Sequence, residues 1–255
     1  MKNLLIYINP SRTFFDPNQK AFRDCRVLAR LQIDNSISLG WKKEDILLVT
    51  NFEFNYNGVN SLVISDESFC PFRPLSTKTT TVSYLLENGI LDKEELYWAH
   101  DFDAYQDFVI NESELGLENF DVGLTDYGWS QKWCLGSYFF KTSAQDIFKA
   151  IKETIYEIQN EDERALSELS QNNTNNINER IKRLNITYNF GMRHIGHNYK
   201  KAIKPLRVLH FHPAYPAETK LPHRPLNCFM YGKNEINTPL MSKRLIEIFQ
   251  QHGIK

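Results

Sequence analysis

Residues 79–103 read TTTVSYLLENGILDKEELYWAHDFD, and the fold class follows from how this stretch is read. Thr79–Glu87 has the composition of a helix, and Asn88-Gly89 is an ordinary helix stop, because both residues tolerate the left-handed conformation that ends a helix. Glu95–Ala99 is a short apolar run that suits a buried strand, and it opens directly into His100-Asp101-Phe102-Asp103. Upstream, the same alternation repeats. Leu4–Ile8 is a buried first strand stopped by Asn9-Pro10, and apolar positions at helical spacing (Phe22, Val27, Leu28, Leu31, Ile33) predict a helix over 19–39. Asp45–Thr50 and Ser61–Ile64 are two further buried strands. Strands alternating with helices predict an α/β protein: a mixed, mostly parallel central sheet flanked by helices.

Downstream the pattern is less regular. Cys134–Phe140 predicts a strand, and Ala144–Gln159 an amphipathic helix with stripe Ile147, Phe148, Ile151, Ile155 and Ile158, N-capped by Thr142-Ser143. A short polar helix is expected near Asp162–Leu169, a mobile polar loop over Gln171–Asn178, a strand at Arg207–Phe211 and a terminal helix at Pro239–Gln251. No repeat or linker interrupts the chain. We therefore expect one domain over 1–255 with two lobes, at about 1–104 and about 105–255.

Thirty basic residues against 31 acidic ones, a net charge of −1, exclude a polyelectrolyte. Nothing global argues for nucleic acid or an anionic membrane, so partners must be chosen by a local site. High aromatic content (13%) with only 11 Gly argues against disorder and against a glycine-fingerprinted cofactor fold. Cys25, Cys70, Cys134 and Cys228 form no C-x-x-C pair, which favours reduced, buried thiols over structural zinc. The N-terminal apolar run ends at Asn9-Pro10, too early for a signal-peptide core, and no stretch reaches the roughly 18 apolar residues of a membrane span. The expected location is cytoplasmic, with peripheral attachment to a membrane left open.

Three clusters have the residue types for chemistry. Asp101-Phe102-Asp103 lies at the carboxyl end of an expected parallel strand, where ligand sites of open α/β sheets collect. Two carboxylates one residue apart can converge on Mg²⁺ or Mn²⁺; solvated charge is the alternative. His210-Phe211-His212 places two rings on one face of an extended segment, as a metal pair or as one core and one exposed histidine. Two Asp with one His point toward Mn²⁺ over Mg²⁺. Neighbouring His100 faces away from Asp101 along the strand and is expected either to pack or to support a ligand residue from behind. Asp162-Glu163 opens a helix, either to complement its dipole or to reach a reacting carbon or acceptor hydroxyl. Between these lies Asp126-Tyr127-Gly128-Trp129-Ser130-Gln131-Lys132-Trp133, whose rings suit either stacking on sugars or a hydrophobic flap.

In this order, the motifs resemble glycosyltransferase family 8, the retaining enzymes on the GT-A nucleotide-sugar fold that include glycogenin and bacterial lipopolysaccharide galactosyltransferases. Residues 79–103 match its helix, turn, apolar strand and D-x-D. Leu135-Gly136-Ser137-Tyr138-Phe139-Phe140-Lys141 is similar to its small-residue strand, and Asp162-Glu163 with Leu166-Ser167 to its Asp-Gln and Leu-Asn. Leu184–Asn189 resembles its segment ending in Tyr/Trp-Asn, and Val208-Leu209-His210-Phe211 its metal-histidine strand.

The resemblance implies a metal-dependent hexosyltransferase taking a nucleotide-sugar, with UDP-sugars favoured, to a carbohydrate-bearing acceptor (glycan, lipid-glycan or protein). Asp101, Asp103 and His210 would hold Mn²⁺ (or Mg²⁺) on the donor diphosphate. Tyr7, Ile8 and Asn9 would lie near the base and ribose, Glu163 beside the anomeric carbon, and Asp162 close to a sugar. Asp126 and Trp129 are the candidate acceptor contacts. Three departures stand out. Ser83 occupies the position of a family Arg, for which Lys78, one turn earlier, is the substitute donor contact. The family's Gly and Lys-Pro-Trp after the histidine are absent, Pro213–Pro216 intervening and Lys220 lying further on. His212 is a substitute for His210, and Glu163 replaces an amide, which leaves retention against inversion open. A nucleotidyltransferase, a metal-dependent hydrolase and an inactive GT-A-like binding module are the alternatives.

Overall fold

The computed structural model describes residues 1–14, 25–192, 195–211 and 240–253. The first strand, β1 (Lys2–Tyr7), is followed by helix α1 (Cys25–Ser38), β2 (Ile46–Thr50), β3 (Asn55–Tyr56), β4 (Val59–Val63), α2 (Thr77–Glu87) and β5 (Leu96–His100). Leu4 and Leu5 of β1 and Trp98 and Ala99 of β5 are inaccessible to solvent. Burial on both faces is the reason these strands read as unbroken apolar runs. β1 pairs in parallel with β2 on one side and with β5 on the other, and β4 extends the parallel set beyond β2.

After β5 the chain makes β6 (Ala104–Gln106), α3 (Glu112–Leu115), β7 (Val122–Asp126), β8 (Trp133–Lys141), α4 (Gln145–Ile158), α5 (Asp162–Gln171), α6 (Ile177–Arg180), β9 (Ile181–Arg183), β10 (Phe190–Gly191), α7 (Ile195–Asn198), β11 (Val208–His210) and α8 (Lys243–Gln251). The large sheet has the order β3-β4-β2-β1-β5-β8-β7-β9 and a small one β10-β11-β6. β8 enters antiparallel to both β5 and β7, while β9 returns parallel to β7. The expected mixed, mostly parallel α/β sheet flanked by helices is the observed one.

β6 is the element that places the site. Directly after β5 the chain turns at Asp101, whose carbonyl accepts the Ala104 N–H at 3.0 Å. It then leaves the large sheet and pairs antiparallel with β11, Ala104 opposite His210. Helices α1 and α8 cover the small sheet with Leu28, Leu31, Leu245 and Phe249 against Tyr105, Leu209 and Phe211. Buried Asp107, just past β6, accepts the Ser242 N–H at 3.0 Å and anchors α8, whose own N-cap is the Ser242 hydroxyl.

Several local expectations are corrected. Thr142 and Ser143 do not cap α4: they form a 3₁₀ turn, Ser143 bonds Asp121, and α4 begins at Gln145. The 171–178 stretch contains a 3₁₀ turn at Thr174–Asn176 and the start of α6, with Asn173, Asn175 and Asn176 at positive φ. Asparagine tolerates that conformation better than other side chains, which explains the Asn-rich composition. The terminal helix starts at Lys243, and Pro239, residues 19–24 of the helix expected over 19–39, and Cys228 lie outside the described residues. Cys70 and Cys134 are buried thiols. Among the described residues, no helix is long and apolar enough to cross a membrane.

Candidate functional site

Pairing of β6 with β11 brings Asp103 next to His210, and the turn after β5 adds Asp101. His210 Nε2 lies 3.4 Å from Asp103 Oδ1 and 3.6 Å from Asp101 Oδ2. One ligand atom from each residue lies within 4.8 Å of the others. The ring is aimed by its other nitrogen: Nδ1 is 2.9 Å from Asn189 Oδ1, an acceptor. That contact places a proton on Nδ1 and turns Nε2 toward the carboxylates, where it holds a proton or, once that proton gives way to a metal, ligates through its lone pair. Burial disfavours a charged ring, but Asp103 and Cys134 outweigh it and lift His210 to about 10. The cluster therefore demands positive charge, and two carboxylate oxygens with one imidazole nitrogen are a donor set that fits Mn²⁺ and, less selectively, Mg²⁺.

Gly136 makes room for the ring. A Cβ on this residue would land on the His210 imidazole, deep inside van der Waals contact. Gly136 also accepts the Asp101 N–H at 2.8 Å, so one residue both clears His210 and pins Asp101. Lys78, from the first turn of α2, donates to Asp101 Oδ1 at 2.5 Å and to the Leu135 carbonyl at 2.6 Å. Ser83, where the family resemblance placed a departure, instead bonds Glu87 at 2.5 Å on the same helix.

Asp162 and Glu163 open α5 beside α2 and β8. Asp162 is buried, bonded to the Thr79 hydroxyl and, through its own N–H, to Ser76 Oγ at 3.0 Å. Burial raises its pKa. Both Glu163 oxygens are occupied: Oε2 accepts the Tyr127 hydroxyl at 2.5 Å and Oε1 the Leu135 N–H at 3.0 Å. Burial lifts Glu163 to about 7 against those two hydrogen bonds. An acid whose folded pKa lies above its ordinary value near 4.5 binds more protons folded than unfolded, so stability falls as pH rises from about 4.5 through 7. Relative to Glu163→Gln, the wild type is expected to lose up to about 3 kcal/mol over that window. Urea titrations of both proteins at pH 5 and pH 8 check this, and a pH-independent difference would contradict it.

The remaining candidates have partners of their own. Tyr7 donates to the Phe14 carbonyl at 3.3 Å and meets Phe102 edge-on. Ile8 is buried, and Asn9 is held by reciprocal bonds with Asn51 at 3.0 and 2.7 Å. Asp126 pairs with Arg183 at 2.8 Å and accepts the Gly128 N–H at 2.7 Å, which shapes the β7–β8 hairpin. Trp129 at its tip is half exposed, with its ring 5.8 Å from that of Tyr127. His100 is packed as expected, stacked on Trp98 and 2.9 Å from Asn3 Oδ1, and burial drives its pKa down to about 3. His212 lies outside the described residues. Asn189, Gly136, Tyr127 and Leu135 are the contributors that a reading for ionisable motifs passes over. They act through an amide, an absent side chain, a phenol and a backbone N–H.

No protein-family model matches the chain, and no curated protein matches it in sequence. Solved structures do match in shape. The galactosyltransferase LgtC, in complex with donor and acceptor sugar analogues, superposes with a TM-score of 0.58 at 11% identity, over 99% of this chain and 95% of that one. GlyE, a glycosyltransferase of Streptococcus pneumoniae, gives 0.56 at 10% identity over 98% of this chain and 63% of its own. A glycosyltransferase involved in the glycosylation of the major capsid of PBCV-1 gives 0.52 at 12%, over 85% and 97%. With the sheet order above, these likenesses establish that the chain has the GT-A-like fold of glycosyltransferases.

Proposed function

We propose that the protein is a metal-dependent glycosyltransferase that moves a sugar from a nucleoside-diphosphate donor, UDP-sugars favoured, to a glycan, lipid-glycan or protein acceptor. The observation that carries the reading is the Asp101–Asp103–His210 cluster at the carboxyl end of β5. Those three residues would hold Mn²⁺ or Mg²⁺, which when bound offsets negative charge on a departing diphosphate. Lys78 adds a buried cation on the same side, held against Asp101. Tyr7, Ile8 and Asn9, at and just past the end of neighbouring β1, are the proposed base and ribose contacts.

A sugar carbon that loses its leaving group becomes oxocarbenium-like and is stabilised by nearby negative charge. Asp162 and Glu163, at the start of α5, are the carboxylates proposed to supply that field. Glu163 has both oxygens engaged by Tyr127 and Leu135, which suits a fixed electrostatic role better than direct attack. Retention is the outcome we propose. Trp129 and Asp126 on the β7–β8 hairpin are the proposed acceptor contacts.

The test is a panel of UDP- and GDP-sugars with Mn²⁺, read by thermal stabilisation and by nucleoside-diphosphate release. A cognate donor at a hundred times its Kd should stabilise by about 2.7 kcal/mol, a rise in Tm of roughly 5–10 °C. Pyrophosphate release from UTP or GTP supplied together with a sugar 1-phosphate would identify a nucleotidyltransferase instead. Binding without turnover would identify an inactive module, and no stabilisation by any nucleotide would end the proposal.

A further inference from the structure

The near-neutral net charge hides a strong segregation. Residues 181–217 contain seven Lys and Arg and no Asp or Glu, in a chain whose overall charge is −1. Some of that charge is neutralised inside the fold, since Arg183 pairs with Asp126 and Arg207 with Glu114. Lys200, Lys201 and Lys204 are different. They are exposed, and among the described residues none has a carboxylate partner within 4.0 Å. Lys201 reaches the Gly128 carbonyl and Lys204 lies over the Tyr199 ring at 3.7 Å, so both are held at the surface by uncharged groups.

The apolar side chains beside them are equally unusual. Ile203 is 63% exposed, Trp129 51% and Tyr199 44%. The two segments that carry them are joined. Asn198 Nδ2 donates to the Tyr127 carbonyl at 3.1 Å, and Asn198 fills the space beside Gly128 that a Cβ would need. The hairpin bearing Trp129 and the turn bearing Tyr199 and Ile203 therefore form one continuous edge, with Lys132 exposed on the hairpin side.

We propose that this edge is a docking surface for an anionic lipid membrane. Lysines without acidic partners complement the negative potential of a bilayer surface, each contributing on the order of a fivefold gain in binding. Tryptophan and tyrosine favour the interface between headgroups and acyl chains, where one side of the ring is apolar and the other wet. An exposed isoleucine between lysines gains by entering the acyl boundary and has no such reason to meet a polyhydroxylated glycan. The edge also reaches the candidate site: Tyr127, two residues from Trp129, bonds Glu163. Docking here would hold that site close to the membrane surface. The inference concerns the surface alone and does not depend on the transferase reading.

Cosedimentation of the full chain with phosphatidylcholine vesicles, with and without phosphatidylglycerol, tests it. Binding is expected only to the anionic vesicles, weakening steeply with salt, with a blue shift in Trp emission that Trp129→Phe removes. Reversing all three charges (Lys200→Glu, Lys201→Glu, Lys204→Glu) should weaken binding by roughly a hundredfold or more. Lys200→Glu with Ile203→Asn, two residues with exposed side chains, should weaken it without lowering Tm. Equal binding to both vesicle types, absent binding, or a triple variant that binds like wild type would overturn the proposal. So would binding to heparin without binding to vesicles, which would assign the edge to an anionic glycan. Nucleotide-induced stabilisation in the presence of Mn²⁺ is expected to be unchanged in the triple lysine variant and in Lys200→Glu/Ile203→Asn, so failure here and failure of the transferase proposal are separately visible.

Discussion

His210→Ala is expected to reduce Mn²⁺ affinity by more than about a hundredfold, because even residues that only orient a ligand change metal affinity by roughly 10–100-fold. Manganese electron paramagnetic resonance, which reads free ion directly, is the measurement. Asp103→Asn should behave similarly, since the amide keeps the shape of the side chain but offers a neutral oxygen at best. Asn189→Ala should fall between these variants and wild type. It leaves the three ligand atoms in the chain and removes only the 2.9 Å contact that fixes the His210 tautomer. Transfer activity that depends on Mn²⁺ is expected to follow the same order. Far-UV circular dichroism should report a folded protein in all three, and undiminished Mn²⁺ binding by His210→Ala would sink the metal assignment.

Gly136→Ala carries the second large effect. Its Cβ has no room except where the His210 ring lies, and β8 cannot move aside, since it is paired with β5 through Ser137 opposite His100 and with β7 on the other edge. The imidazole must be displaced. Overpacking of this kind costs about 1–3 kcal/mol, or roughly 2–12 °C in Tm for a chain of this size. Mn²⁺ affinity should fall with it, because the displaced ring loses its aim at Asp101 and Asp103. The double variant Gly136→Ala/His210→Ala separates the two effects: it should recover part of the lost Tm and none of the lost metal binding. Additive losses in Tm would show that the collision is not with His210.

Much of this molecule is legible from short stretches of chain. Leu4–Ile8, Asp45–Thr50 and Glu95–Ala99 read as strands because each is buried on both faces and so nearly free of polar side chains. α4 is legible because its buried positions recur at helical spacing. Elements of two or three residues, such as β6, β9, β10 and β11, are too short to show a period. They exist because neighbouring chain offers them hydrogen-bond partners.

The same division runs through the candidate site. Asp101 and Asp103 were identifiable from their place at the end of an apolar strand, a local arrangement of residue types. His210 was identifiable as a metal-capable residue, but local sequence alone contained no reason for it to meet Asp103. That meeting depends on β6 leaving one sheet for another and pairing with β11, a long-range contact. Lys78 reaching Asp101, Gly136 clearing the ring and Asn189 aiming it are likewise decided across β8, α2 and the small sheet. Sequence by itself determined the fold class and the chemical character of the ligand residues, because short-range period and side-chain chemistry are written in neighbouring residues. Tertiary structure alone decided which nitrogen faces the carboxylates and which lysine stands beside them, because those are settled by packing between segments distant in the chain.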